Sequence, residues 1–352
     1  MNEYFNIKVT ASASYNVVIV ENGLNNIGDY IKKEIGVCRL AMLTDDKVDA
    51  LYADTVMKSL EKSGMACSKY VIPNGERSKN TDNVLAFINF MAENHITRSD
   101  AVIALGGGVI GDMAGFASAI YQRGIKYIQI PTTLLAAVDS SIGGKTAVDI
   151  PSGKNLIGAF HQPSLVYLDT ATLNTLDPNV LRDGFAEVIK YGVILDSDLF
   201  NAVSEPNATD IKRIIKRCIE IKRDVVAADE FDQGMRGLLN FGHTIGHAIE
   251  KLSNYTVSHG EAVAKGMVRA AAMGEKKGLG DFSQPIIEVL KRYGFDLSCQ
   301  YNAEKLYGAA LSDKKCQDDG ITLILPQEIG KCGLYKVNTK ELLSLLKTTE
   351  QL

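Results

Sequence analysis

Apolar and polar positions change their period near the middle of the chain. Before it, short apolar runs at residues 15–20, 39–44, 69–72, 101–105, 127–130 and 165–168 read as strands, with helical patterns between several of them. That alternation predicts a mostly parallel sheet in an α/β domain. Beyond Leu176-Asp177-Pro178 the apolar positions recur at helical spacing, as in 211–222 and 261–277, and one small strand is expected near 321–325. The expected plan is an α/β N-terminal domain over 1–175 and a mainly α-helical C-terminal domain over 176–352. A small-molecule site is expected first in the cleft between two such halves.

Composition narrows the partner. The 352 residues are 46% hydrophobic, enough for the cores of two domains. A net charge of -4 gives no general attraction to nucleic acid or to anionic membranes, so a small molecule is the expected partner. The first residues, Met1-Asn-Glu-Tyr-Phe, lack a basic segment followed by an apolar stretch, and no apolar run of about 18 residues follows. The expected location is the cytoplasm. Six cysteines (Cys38, Cys67, Cys218, Cys299, Cys316, Cys332) are scattered without a CxxC pair, which argues against a zinc ribbon or a disulfide framework. Any metal has to be held by histidine and carboxylate.

Three of the five histidines fall close together: His243 and His247, then His259 in Ser258-His259-Gly260-Glu261. Positions i and i+4 share a helix face, so His243 and His247 can enter one pocket, and a third histidine can fold back across a short loop. The same spacing also occurs on ordinary helix surfaces and in hydrogen-bonded cores. Thr244-Ile245-Gly246 leaves no HExxH, so a metalloprotease would lack its general base. Gly242 and Gly246 imply that something approaches this helix closely, since an interior glycine otherwise costs roughly 1 kcal/mol against alanine.

Glycine loops supply further chemistry. The run 101–105 leads into Gly106-Gly107-Gly108-Val109-Ile-Gly111-Asp112, a GxGxxG between a strand and a helix expected at 113–120, where amides can receive a pyrophosphate. The acidic residue usual about 20 positions later is missing, because that region reads Ile128-Gln129-Ile130. A standard Rossmann half is therefore not supported. Asp45, after the earlier strand, can serve the adenosine ribose if the strands are arranged differently. Gly144-Lys145-Thr146 resembles the tail of a P-loop, but Asp139 stands where its opening glycine belongs, so a Walker A is rejected. Lys154 in Gly153-Lys154-Asn155 and Arg123 in Gln122-Arg123-Gly124 are cations in glycine-rich loops, a common setting for anions. Glu187 and Lys190 lie at i, i+3 on one helix face, either as a surface ion pair or as the missing carboxylate of a metal site with its neighbour.

Taken in order, these pieces resemble the 3-dehydroquinate synthases, within the sugar phosphate cyclases. The resemblance is carried by Pro73-Asn-Gly75-Glu76-Arg-Ser-Lys79, Gly106-Gly-Gly-Val-Ile-Gly-Asp112, Arg123-Gly, Pro131-Thr132-Thr133 and Asp139-Ser-Ser-Ile-Gly-Gly-Lys145. It continues through Gly153-Lys154-Asn155, Glu187-Val-Ile-Lys190, Arg236 with Asn240-Phe-Gly-His243-Thr-Ile-Gly-His247, His259-Gly-Glu261 and Asp313-Lys314-Lys315, spanning roughly residues 40 to 325. It implies a lyase of the shikimate pathway, toward chorismate and the aromatic amino acids, that needs NAD and zinc, with cobalt as a possible substitute. The expected enzyme is a homodimer acting on a small sugar phosphate, with no nucleic acid or membrane partner. Its reaction turns 3-deoxy-D-arabino-heptulosonate 7-phosphate into 3-dehydroquinate and phosphate by transient oxidation with NAD, phosphate elimination, re-reduction and intramolecular aldol closure.

The resemblance makes Glu187, His243 and His259 the metal ligands. His247 becomes a proton-relaying residue facing the substrate, which displaces the reading in which both helix histidines bind metal. Lys145, Asn155, Arg123 and His247 are implied near the phosphate or the reacting carbons, and Lys154, Lys190, Lys222, Arg236 and Asn240 around the carboxylate, hydroxyls and phosphate. Asp139 and Lys145 resemble contacts to hydroxyls near the nicotinamide. Asp45, Glu76 and Lys79 resemble adenosine-side contacts and Gly107, Gly108, Val109 and Asp112 a pyrophosphate cradle, with Thr132, Thr133, Lys145 and Lys154 as further cofactor contacts. Lys314 or Lys315 can reach the phosphate, and Thr322 stands where many members carry arginine.

Three alternatives compete. Another sugar phosphate cyclase, such as a 2-deoxy-scyllo-inosose synthase, shares fold, NAD and zinc, but the 141–145 loop and Arg236 suit a substrate with a carboxylate. A polyol dehydrogenase of the glycerol dehydrogenase type releases NADH and does not need so many phosphate-binding cations. A non-catalytic NAD-binding scaffold has no use for an acid, a lysine and three histidines together.

Overall fold

The computed structural model describes residues 2–205, 210–313 and 320–351, and the chain divides into two compact units. The first comprises Met1–Asp177 with Lys222–Phe231, and the second Pro178–Ile221 with Asp232–Leu352.

The first unit contains β1 (Asn2–Thr10), β2 (Ser14–Glu21), β3 (Leu40–Asp45), β4 (Cys67–Ile72), β5 (Ala101–Gly106), β6 (Lys126–Pro131), β7 (Lys145–Ile150), β8 (Gly153–Phe160) and β9 (Leu165–Asp169). Seven of them form one sheet in the order β1-β2-β9-β6-β5-β3-β4, while β7 and β8 pair as a hairpin. Every neighbour in the sheet is parallel except β1 with β2. Leu40 and Met42 of β3, with Ala101, Ile103 and Leu105 of β5, enter one core layer; Ala41, Leu43, Val102 and Ala104 enter the other. Helices Ile27–Ile35 and Asp54–Lys62 cover the first layer through Ile27, Ile31, Val56 and Leu60. Helices Thr81–Glu93 and Gly108–Ile120 cover the second through Val84, Phe87, Met91 and Met113. Burial on both faces is why these strands read as unbroken apolar runs, each such side chain stabilising the unit by ~1.5–3 kcal/mol.

All six strands expected from the apolar runs are present, each within two residues of its expected limits. β1, β7 and β8 are additional. β8 leaves Leu156, Ile157 and Phe160 exposed, so nothing in its pattern distinguishes it from a glycine-flanked loop.

The strand order locates a ligand site. From β3 the chain moves outward to β4, then returns past β3 to β5 and on to β6 and β9, the doubly wound order 2-1-3-4-5. Such sheets bind ligands beyond the carboxyl ends of the two strands where the direction reverses, here β3 and β5. Thr44 pairs with Leu105 and Gly106 with Pro131, so Asp45, Gly107 and Thr132 all follow the same sheet edge.

That edge is fixed at β9 by Asp169, whose buried carboxylate accepts from the amides of Asn22 (2.8 Å), Gly23 (2.6 Å), Leu24 (3.0 Å) and Ala171 (3.0 Å). Asp169→Ala leaves these donors without their carboxylate, and a loss of about 2 kcal/mol is expected from the urea midpoint. An unchanged midpoint would show that the amides find other partners at no cost.

The second unit is helical, with Pro178–Leu195, Ser197–Ser204, the first part of Ile211–Ala228, His243–Leu252, His259–Lys276, Ser283–Arg292, Ala303–Asp313 and Thr339–Lys347. The strand expected near 321 is β10 (Ile321–Glu328), and it pairs with β11 (Lys331–Val337). Helix His243–Leu252 starts from Gly242 in a left-handed conformation (φ 79°) and lies against helix His259–Lys276. A Cβ on Gly266 would stand 1.9 Å from the Gly242 carbonyl oxygen. The close approach implied by glycines 242 and 246 is therefore by the helix that carries the third histidine.

Candidate active site

Three helices of the second unit bring together a group of side chains that could hold a metal ion. Glu187 comes from Pro178–Leu195, His243 from the first turn of His243–Leu252, and His259 from the first turn of His259–Lys276. Glu187 Oε1 lies 3.5 Å from His243 Nε2 and 3.3 Å from His259 Nε2. A tetrahedral zinc with bonds of ~2.0–2.1 Å has its ligand atoms roughly 3.3–3.4 Å apart, so the spacing already suits the ion. Three protein ligands leave a position open for substrate, the pattern of catalytic rather than structural zinc. His243 Nδ1 faces the Phe241 carbonyl at 3.1 Å, which directs Nε2 to the centre.

The surroundings act on the two histidines in opposite directions. Burial pushes His243 down to about 3 despite the pull of Glu187, leaving it neutral as a ligand must be. Burial also acts against protonation of His259, but its bonds to Glu187 and Glu250 outweigh this and lift it to about 10. Without a metal, a proton on His259 supplies the cation that the two carboxylates demand. Glu187 and Lys190 are each 1% exposed and in direct contact through Oε2, so they are not a surface pair. Lys190 occupies one carboxylate oxygen while the other faces the histidines.

His247, one turn along, has its ring centre 5.4 Å from that of His243 and 6.3 Å from that of His259. Among the described residues a second possible metal group, His247, Glu250 and His259, shares His259 with the first. Glu250, buried on the same helix, was passed over in the sequence, although its place seven residues after His243 puts it on the histidine face. Arg236, 1% exposed, and Asn240 lie in the turn Met235–Asn240 that leads into this helix.

The first unit gathers most of the residues expected to face a nucleotide. β5 ends at Gly106 and the helix begins at Gly108, earlier than the expected 113, so Gly108, Val109 and Asp112 belong to its first turns. Its N-cap Gly107 provides no side-chain cap, leaving first-turn amides for an anion. Thr132 Oγ1, Ser140 Oγ and Thr44 Oγ1 are buried without a hydrogen-bond partner, and Ser140 Oγ lies 3.0 Å from where a Cβ of Gly108 would be. Such hydroxyls fit a polar ligand along this edge. Thr133 Oγ1 accepts from the Ala136 amide (3.2 Å), and Asp45 Oδ1 accepts from Lys47 and Val48 (3.1 Å each), capping the turn after β3.

Lys79 Nζ donates to Asp112 Oδ2 and to Asn155 Oδ1, both at 2.6 Å. Burial would discharge Lys79, but Asp112, Glu76 and Asp149 outweigh it and hold the ammonium above its ordinary pKa. The β7–β8 hairpin brings in Asn155, in a left-handed conformation (φ 54°), and Lys154, 3.3 Å from Glu76. Lys145 opens β7 opposite Phe160. Lys222 Nζ donates to the Asp139 carbonyl (2.6 Å) and contacts its carboxylate.

Arg123 is not brought to these groups. It is exposed on the turn entering β6, with φ 62°, at the amino ends of the parallel strands, ~20 Å of strand from Thr132. Lys314 and Lys315 lie outside the described residues. Thr322 is exposed on β10, opposite Lys336 of β11.

A doubly wound unit together with a helical unit carrying a two-histidine, one-carboxylate group is the plan on which sugar phosphate cyclases are built. The fold matches a 2-deoxy-scyllo-inosose synthase solved with carbaglucose-6-phosphate, NAD+ and Co2+ (TM-score 0.89, 26% identity, 97% of this chain and 99% of that one). It also matches 2-epi-5-epi-valiolone synthase of Streptomyces hygroscopicus subsp. jinggangensis 5008, solved with NAD+ and Zn2+ (TM-score 0.87, 25% identity, 99% and 100% covered). Residues 69–183 match the family model of the 3-dehydroquinate synthase N-terminal part and 184–316 that of the C-terminal part. A 3-dehydroquinate synthase of Caldanaerobacter subterraneus subsp. tengcongensis is 44% identical over 348 residues, 95% of this chain and 97% of the relative. The chain belongs to the 3-dehydroquinate synthase family.

Proposed function

We propose that the protein converts 3-deoxy-D-arabino-heptulosonate 7-phosphate to 3-dehydroquinate and phosphate, as a lyase dependent on NAD and on zinc or cobalt. The observation that carries this is the Glu187–His243–His259 set, with the Glu187 oxygen at zinc spacing from both imidazoles, in a chain of this family. When bound, NAD would accept the hydride from C5 as the C5 hydroxyl is oxidised, and the metal would act as a Lewis acid toward that hydroxyl.

The chain's own residues do the rest. Lys190 holds one oxygen of Glu187 and keeps the other directed at the histidines. His247, outside this ligand set, passes a proton to and from the reacting carbons through its imidazole. The buried Arg236 guanidinium suits the substrate carboxylate, with Asn240 beside it in sequence as a hydroxyl partner. In the first unit the Gly107–Asp112 turn receives the pyrophosphate and Asp45 and Glu76 the adenosine side, while Lys79 holds Asp112 and Asn155 in place. Lys222 neutralises Asp139, and with Lys145 and Lys154 supplies cations to a dianionic phosphate. Homodimer assembly belongs to the same reading, and the exposed Phe160–Phe231 pair supports it. No helix among the described residues is long and apolar enough to cross a membrane.

One assay decides between readings: the heptulosonate phosphate is supplied with catalytic NAD and zinc, and phosphate, dehydroquinate and NADH are followed. Phosphate and dehydroquinate in equal amounts without net NADH are expected. Stoichiometric NADH would indicate a polyol dehydrogenase, and inertness here with turnover of glucose 6-phosphate would indicate a different cyclase.

A further inference from the structure

We propose that Glu250 is a positioning residue for the metal centre, orienting His259 from the far side of its ring. The inference rests on the ligand set Glu187, His243 and His259. Among the described residues His259, unlike His243, has a carboxylate at each ring nitrogen: Nε2 faces Glu187 Oε1 at 3.3 Å, and Nδ1 faces Glu250 Oε1 at 3.5 Å. Glu250 is 2% exposed, and a carboxylate so deeply buried is retained at a desolvation cost unless charged or polar groups answer it.

Its place on the helix explains the contact. His243, His247 and Glu250 stand at i, i+4 and i+7, a single face, and helix His259–Lys276 packs against the adjoining Gly242–Gly246 side, which brings its first residue, His259, to the edge of that face. Helix His243–Leu252 therefore provides a ligand at its first residue and the orienting carboxylate two turns later. With its Nδ1–H held by a carboxylate, an imidazole keeps one tautomer, presents Nε2 as the lone pair, and becomes a more basic ligand. His243 achieves the same orientation with the Phe241 carbonyl at 3.1 Å, a neutral acceptor. The two histidines thus have unequal partners, with the carboxylate assigned to the more exposed ring, 32% against 13%.

The test measures zinc affinity by competition with a chromophoric chelator, with the absorption spectrum of the cobalt-loaded protein as a second readout. Glu250→Gln, which preserves size, and Glu250→Asp are compared with the parent, and circular dichroism and melting of the metal-free forms establish folding. Zinc is expected to bind about 10- to 100-fold more weakly to Glu250→Gln, with a changed cobalt ligand-field spectrum and a helical signal like the parent's. Glu250→Asp is expected to recover part of the affinity. Zinc affinity within twofold of the parent in both folded variants would overturn the proposal. His259→Ala and His247→Ala separate it from the underlying reading. If His247→Ala and Glu250→Gln both abolish zinc binding while Glu187→Gln keeps it, Glu250 is a ligand and the underlying set is wrong.

Discussion

His259→Ala is expected to lose zinc, and His247→Ala to retain zinc while losing about 100- to 10,000-fold in turnover. The two rings lie within 6.3 Å of each other, so general damage to the pocket would affect both variants alike. Their roles separate by direction. His259 Nε2 is 3.3 Å from Glu187 Oε1, and removing it leaves a carboxylate and one imidazole, too few ligands to keep a catalytic zinc. His247 is not in that triad, and its loss removes a proton carrier without opening the coordination shell. Zinc per protein by atomic absorption, followed by single-turnover phosphate release after zinc is restored, distinguishes the outcomes. Equal zinc loss in both variants would place the ion in the His247, Glu250 and His259 group instead.

What could be read in the chain followed the kind of signal involved. Strands buried on both faces were plain, because β3, β5 and β9 consist almost wholly of buried side chains. The edge strand β1 and the hairpin β7–β8 were not, since half-exposed strands in which polar residues interrupt the apolar ones carry too little contrast. The i, i+4 histidines announced a metal helix, but the set Glu187, His243 and His259 rested on resemblance, because spacing cannot tell which ring turns toward a carboxylate 56 residues earlier. Asp45 remained conditional on strand order, and the order 2-1-3-4-5 puts it beside the Gly106 end. The grouping of Lys222–Phe231 with the first unit had no local signal. It depends on Glu230, which accepts from the Ser12 amide and hydroxyl at 2.6 Å each, and on Gln162 at 2.8 Å, all distant in sequence.

Gly266→Ala is expected to unseat the metal centre from outside it. In an ordinary helix interior this change stabilises by up to ~1 kcal/mol, so the expected sign is the opposite of propensity. The new Cβ would lie 1.9 Å from the Gly242 oxygen and 2.9 Å from both the Gly242 carbonyl carbon and the Gly246 nitrogen. All three are backbone atoms, and no rotamer can relieve them. Contact between carbon and a carbonyl oxygen needs ~3.3 Å, so the helices must part by more than about 1 Å. His243 and His259 stand on those two helices, and ligand distances tolerate only about 0.2 Å. The expected result is a loss of about 3 kcal/mol or more in urea unfolding, together with zinc affinity weakened well beyond the effect of Glu250→Gln. Gly308→Ala provides the control. It lies in helix Ala303–Asp313 with nothing within 4 Å of its built Cβ, and is expected to be neutral or slightly stabilising. Parent-like zinc binding and stability in Gly266→Ala would mean that the two histidine helices can slide apart without cost, and that the glycine crossing does not set the ligand geometry.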